Sequence, residues 1–337
     1  MNKVIYMLIV IVGLFLSISV NAAEEAIAVK VGEGSLTVSG YVHTRYSYTS
    51  YDNPDAFAVV RARLILSGSV VPDVSYRFQY DLRLATSSLR DAFIKYSNLP
   101  LGMAITVGQF KIPISEAGII WGTAANNLIN GPIIYEGYLY KKTGYSTITF
   151  ADRETGIVLD GKMLDNTIGY ALGVVNGNGI NIADDNNNKD ILARVTVAPF
   201  KELNLGVGAM SGREVSATYI ARKRLIATAK CEIDSFKLVS EYFYQEREKS
   251  VGKLATDNFY ITGSYIFKLD EQFIEPVLRY QQYTADVFNA DYKVNVVTPG
   301  LNFGLNKYTR LQVNYNYIQD EIAANDNEVL VQLELKF

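Results

Sequence analysis

Arginines stand two residues apart at Arg61/Arg63 and at Arg222/Arg224, and further cations alternate with other residues around Arg45, Arg77, Arg83, Lys95, Lys111, Arg194, Lys230 and Arg279. An extended chain turns every second side chain to the same side, so each such pair presents two positive groups together. Guanidinium forks match the oxygens of phosphate and carboxylate. The chemistry these spacings suit is reversible binding of anions. Little else is available. His43 is the only histidine and Cys231 the only cysteine, which excludes an intrachain disulfide and a cysteine zinc cluster. A serine-histidine hydrolase would have to use His43. That residue lies beside Arg45 with no acid near it in sequence, so no enzymatic activity is expected. Asp184, Asp185 and the asparagines after them have the composition of a calcium loop without its spacing or glycine, and read as a solvated surface loop. Neither a metal nor another cofactor is implied.

The segments that carry the cations alternate without a break. Val74, Tyr76, Phe78, Tyr80, Leu82 and Leu84 share one face of a strand; Ser75, Arg77, Gln79, Asp81 and Arg83 share the other. Before it, Val60, Ala62, Leu64 and Leu66 oppose Arg61, Arg63, Ser67 and Ser69, with Pro72-Asp73 as the turn between. The same pattern recurs from Ser35 to Tyr48 and along most of the chain to the last segment. There Val329, Val331, Leu333, Leu335 and Phe337 oppose Gln332, Glu334 and Lys336. No helical period of any length is present.

The net charge of −3 excludes a generally basic nucleic-acid binder. Lys3 followed by the apolar run Val4 to Val20 and the small-residue site around Ala22 reads as a secretory signal peptide over residues 1–22, cleaved after Ala22 or Ala23. No later stretch reaches the roughly 18 apolar residues of a transmembrane helix. Residues 23–34 read as a short, loosely held segment, and residues 35–337 as one domain. That domain holds about 16 strands, each near the ~10 residues that a tilted membrane strand needs. Turns alternate between short and long, as they do in barrels with short periplasmic turns. The expected fold is therefore all-β: a closed antiparallel transmembrane β-barrel with its apolar face toward outer-membrane lipid. The terminal Phe337 in an amphipathic strand resembles the assembly signal of bacterial outer-membrane proteins.

With the polar face turned to the lumen, cations there outnumber acids, while Asp184, Asp185, Asp190, Asp320 and Glu321 are placed in loops. Rings of Arg or Lys make a pore favour anions. Asp81 with Arg77 or Arg83, and Glu232 with Lys230, stand close together on one face of a strand and are expected to pair.

Several segments carry a family resemblance: Val59-Val60-Arg61-Ala62-Arg63-Leu64, Tyr76 to Arg83, Arg90 to Tyr96 and Val107 to Pro113. More weakly, Glu154-Thr155-Gly156, Val175-Asn176-Gly177 and Gly300-Leu301-Asn302-Phe303 continue it. Together these are similar to the phosphate-selective porin O/P family of outer-membrane channels. The resemblance implies a homotrimer in the outer membrane of a Gram-negative-type bacterium that passes small anions such as phosphate. It also implies that the long segment 114–151 folds inward as a constriction loop. By the same resemblance Arg61, Arg63, Arg77, Arg83, Arg222 and Arg224 are candidates for an arginine ladder, and Lys95, Lys111, Lys141 and Lys142 for the constriction. The alternative is a non-specific or sugar-type diffusion porin, with Tyr135, Tyr138 and Tyr140 as a stacking slide for sugar.

Overall fold

Each alternating segment forms a strand, and almost every strand pairs with the next one along the chain. The structure is a computed structural model and describes residues 27–50, 55–85, 88–120, 125–136, 152–213, 219–249, 252–288, 293–321 and 326–337. The signal-peptide residues 1–22, Tyr138, Tyr140, Lys141 and Lys142 lie outside the described residues. In chain order the strands are β1 (Ile27–Val31), β2 (Gly34–Thr49), β3 (Ala56–Val71), β4 (Val74–Asp81), β5 (Leu89–Leu99) and β6 (Met103–Lys111). After the long connection come β7 (Arg153–Met163), β8 (Ile168–Val175), β9 (Asp190–Phe200), β10 (Leu203–Arg213), β11 (Tyr219–Ile233) and β12 (Phe236–Lys249). The rest are β13 (Lys253–Tyr265), β14 (Phe267–Leu269), β15 (Gln272–Thr284), β16 (Lys293–Gly304), β17 (Thr309–Asp320) and β18 (Asp326–Lys336).

All pairings are antiparallel, and β18 pairs with β2, Lys336 opposite Tyr41 and Glu328 opposite Thr49, so the sheet closes. Closure gives each long strand a partner on both sides, the condition for a sheet that crosses lipid. β1 lies along the same side of β2 as β18, with Ile27 opposite Val38, and so continues β18's row. β13 and β14 likewise form one row against β15, broken at Ile266. The result is a cylinder of 16 rows.

Polarity is inverted relative to a soluble protein. Leu278, mid-strand in β15, is 57 % exposed, and Phe78, Ile94, Val107, Leu172, Val195, Val207 and Leu225 are exposed with it. Their neighbours along each strand, among them Gln79, Asp91, Thr106, Arg194 and Arg224, are buried. Apolar side chains exposed in a continuous band are what a lipid-facing wall requires.

Three features depart from the sequence reading. β4 stops at Asp81 rather than at Leu84, because the Asp81 carboxylate accepts the Arg83 N–H at 3.3 Å and turns the chain locally. The register slips between His43 and Thr44, which face Arg61 and Val59, so Val60 is the extra residue of a bulge. Phe57 and Val59 then fall on the exposed face. Finally, residues 27–31 are a paired strand and not a loose lead-in.

A charge placed in the exposed band should be costly. Leu278→Arg is expected to destabilise the barrel by about 2–4 kcal/mol, seen as a loss of the heat-modifiable folded band after refolding into lipid vesicles. Thr298→Ala, on the buried face, serves as the reference, and equal yields from the two variants would contradict the lipid assignment.

Candidate functional site

The buried face of the wall is of two kinds, and the 112–152 connection explains the difference. From β15 round to β2, amides recur at alternate positions: Gln312, Asn314 and Asn316 on β17, with Gln281, Asn302 and Gln332 on neighbouring strands. An amide offers both donor and acceptor, so it can satisfy a non-repetitive backbone. That is how these groups are used. Asn314 Oδ1 accepts the Ile129 N–H at 2.7 Å and Gln281 Oε1 the Ile133 N–H at 3.0 Å. Asn302 Nδ2 donates to the Asn127 carbonyl at 2.8 Å. The amides also bond one another, Gln332 to Gln312 at 3.0 Å and Gln312 to Asn302 at 3.1 Å.

On β7 to β12 apolar side chains share the buried face with charged and polar ones. Val158, Ala171, Val175, Leu192, Met210, Ile226, Val239 and Phe243 form one cluster with Ile112, Ile114, Ala117, Ile133, Ile134 and Tyr135 of the connection. The Tyr135 ring meets Phe243 edge-on at 5.8 Å and its hydroxyl bonds Ser115 Oγ at 2.7 Å. Burial, with the Glu241 carboxylate nearby, pushes that hydroxyl well above its ordinary pKa. Tyr135 is thus a packed core residue and offers no stacking face to a sugar. Gly208 on β10 lets the backbone of the connection approach: a Cβ there would lie 2.1 Å from the Ile114 carbonyl oxygen.

A short helix α1 (Glu116–Ile120) and a single turn α2 (Ile133–Glu136) lie in the connection. Glu241 of β12, 1 % exposed, receives the N-terminus of α1. It accepts the N–H of Glu116 at 2.7 Å and of Ala117 at 2.8 Å, together with Thr228 Oγ1 at 2.7 Å and the Tyr260 hydroxyl at 2.8 Å. A carboxylate at a helix start meets unpaired N–H groups and the positive end of the peptide dipoles.

The cations singled out in the sequence do not form one ladder. Arg61 and Arg63 project from β3 and Arg222 and Arg224 from β11, on opposite sides of the ring. Arg63 Nη2 pairs with Asp81 at 3.2 Å, its direct cross-strand neighbour, and Arg61 Nη1 lies 3.5 Å from His43 Nδ1. Arg222 pairs with Asp190 at 2.8 Å and Arg224 Nε donates to Gln245 Oε1 at 2.6 Å. Arg77 pairs with Asp91 at 3.2 Å, not with Asp81. Arg83 is exposed in the turn after β4. Arg45 Nη1 and Arg279 Nη2 both donate to Asn130, at 3.2 and 3.0 Å, and so hold the connection. Lys111 Nζ donates to the Ile119 carbonyl at 2.8 Å. Arg194 and Lys230 flank Glu116, at 3.3 and 3.5 Å, and Lys230 also pairs with Glu232 at 3.1 Å, as expected. Lys95 pairs with Asp160 at 3.0 Å.

Sequence reasoning passed over Arg90 and Arg153, which share Asp152 and Asp91 with the Arg77 group. It also set Asp190 in a loop. Asp190 opens β9 on the buried face and Arg222 is its counter-ion. The partner that His43 lacks in sequence comes from the closing strand: Nε2 donates to Glu334 Oε2 at 2.8 Å, and Arg310 lies 3.1 Å from the same oxygen. This pair stitches β18 and β17 to β2.

Open space lies against β4 to β9. A cavity of about 950 Å³ is lined there by five cations, Arg77, Lys95, Lys111, Lys162 and Arg194, and two acids, Asp91 and Asp160. Both acids are already ion-paired. Lys162 has no ion-pair partner among the described residues. A smaller space of about 370 Å³ adjoins Arg194, Lys230 and Glu116.

A closed 16-row barrel with an apolar outer band and a polar, partly open interior defines an outer-membrane porin. A model of the phosphate-selective porin O and P family matches residues 38–222, and the chain belongs to that family. Among solved structures it is similar to the anion-selective porin from Comamonas acidovorans, at 15 % identity and a TM-score of 0.70 over 90 % of this chain and 100 % of that one. The outer-membrane channel DcaP of Acinetobacter baumannii aligns at 13 % identity and TM-score 0.66 over 93 % and 100 %. The trimer form of OmpT from Vibrio cholerae aligns at 12 % and 0.65 over 90 % and 99 %. No curated protein matches by sequence. At these identities the structures establish the shared barrel fold.

Removing the Glu241 acceptor tests the attachment of α1. Hydrogen bonds to a charged group contribute about 1.5–3 kcal/mol each. Glu241→Ala is therefore expected to leave a folded barrel whose single-channel conductance is larger and noisier than that of the unmodified protein. Gly208→Val should do the same by displacing Ile114, and unchanged traces from both would show that these contacts do not restrain the connection.

Proposed function

We propose that this porin passes small anions by passive diffusion across the outer membrane, phosphate-type oxyanions among them. The observation that carries the reading is the charge of the open space: five cations and two carboxylates line the cavity of about 950 Å³, and both carboxylates are ion-paired. In a low-dielectric cylinder the uncompensated charge is focused along the passage and raises the local concentration of counter-ions. The net charge of −3 for the whole chain does not oppose this, since part of the acid sits in exposed loops such as Asp184 and Asp185.

Segment 112–152 narrows the passage in this reading. Its described parts bond the wall amides and pack on β7 to β12, and the cavity of about 950 Å³ lies on the β4 to β9 side. Residues 1–22 direct export and are removed, and the barrel assembles as a homotrimer, the form reported for the OmpT neighbour. Family membership supports phosphate as a solute.

Reversal potentials in a potassium chloride gradient across planar bilayers test the selectivity. Chloride is expected to be preferred, and the triple variant Arg77→Gln, Lys95→Gln, Lys162→Gln is expected to lower that preference severalfold, charge being the lever of pore selectivity. Added phosphate should reduce chloride current. A channel without ion preference would instead favour general diffusion.

A further inference from the structure

We propose that the passage favours organic anions with an apolar body, aromatic carboxylates in the simplest case, over inorganic oxyanions. This deepens the anion reading and rests on it for the direction of charge. The cavity against β4 to β9 is open because its floor is built from small side chains. Ala104 faces Asp160 across the β6–β7 pair, Asp160 faces Ala171 across β7–β8, and Lys162 faces Gly169. Long cations therefore stand over a floor that is short and mostly apolar.

Phe93 gives this floor an aromatic end. Its cross-strand neighbours are Arg77 on β4 and Gly108 on β6. Gly108 has φ of 130°, and a Cβ there would lie 2.2 Å from the Ala92 carbonyl, so no side chain can cover the ring from that position. Phe93 is half-buried, rests on the apolar cluster that includes Phe110 and Val158, and still lines the cavity. A hydrated phosphate gains nothing from that surface. A planar aromatic ring can lie against Phe93, with its carboxylate meeting Arg77, the cross-strand neighbour of Phe93, while Lys162, which has no ion-pair partner among the described residues, adds to the positive charge of the cavity. About 950 Å³ is room for such a solute and its water.

The test is block of chloride current by benzoate or by phosphate at neutral pH, with benzyl alcohol as the uncharged analogue. Unmodified protein should be blocked by benzoate at a concentration about tenfold below that needed for phosphate, and hardly by benzyl alcohol. Phe93→Ala, and Phe93→Leu should the first fail to fold, is expected to lower the benzoate-to-phosphate ratio about fivefold. Lys162→Gln should weaken both anions and leave the ratio near its starting value. Equal block by benzoate and phosphate, or a ratio indifferent to Phe93, would overturn the proposal. Chloride-over-potassium preference read in the same bilayers separates the two readings. Anion preference with no benzoate advantage discards this inference alone, whereas Phe93-dependent benzoate block in a channel indifferent to chloride keeps it and discards the general anion reading.

Discussion

A backbone amide in hydrocarbon has no water to fall back on, and everything else in this molecule follows from that. Each row must be paired on both sides, so the sheet must meet itself. Once it does, outside and inside become different solvents. The alternation along each strand then sorts phenylalanine, leucine and valine to lipid and leaves arginine, aspartate and asparagine within. The meeting place needs its own specificity, because a slip of one residue would exchange the two faces. At the β18–β2 seam, His43, Glu334 and Arg310 supply it: a buried carboxylate with two cationic or donor neighbours fits in one register only.

The same requirement governs the 112–152 connection. A non-repetitive chain cannot satisfy its own amides and carbonyls, so the wall must do it. Asn314, Gln281, Asn302 and Glu241 each meet a main-chain group of the connection, while Phe243, Val239 and Leu192 give it an apolar seat. Many wall side chains are thus committed to holding this segment, including Arg45 and Arg279. The charge left to act on solutes is correspondingly local and lies where the interior is open.

How much of this could be read from the residues depended on period. The barrel was legible because a two-residue alternation is a local signal, repeated in nearly every strand, and the sorting of Tyr80 from Asp81 needs no tertiary information. The pairing of charges was not, because it depends on which strands become neighbours and in what register. Asp81 prefers Arg63 across the sheet to Arg77 or Arg83 in its own segment, and Glu334 finds His43 from the far end of the chain. Asp190 looked like part of an acidic loop because its strand begins with it. The amide positions on β17 were visible as Gln312, Asn314 and Asn316, yet their purpose was hidden until the backbone they serve was in place. The apolar patch inside the barrel was hardest to see. Val158 and Leu192 follow the inward period faithfully, and only the packed connection distinguishes them from misplaced core residues.

The position of β1 has a consequence for the chain as a whole. Ile27 stands opposite Val38 and Phe337 exchanges backbone hydrogen bonds with Gly40, so head and tail of the barrel lie end to end in one row. A short covalent link between them would leave every ladder intact, and the ring could then be cut at another loop. The finished cylinder itself carries no memory of a first strand.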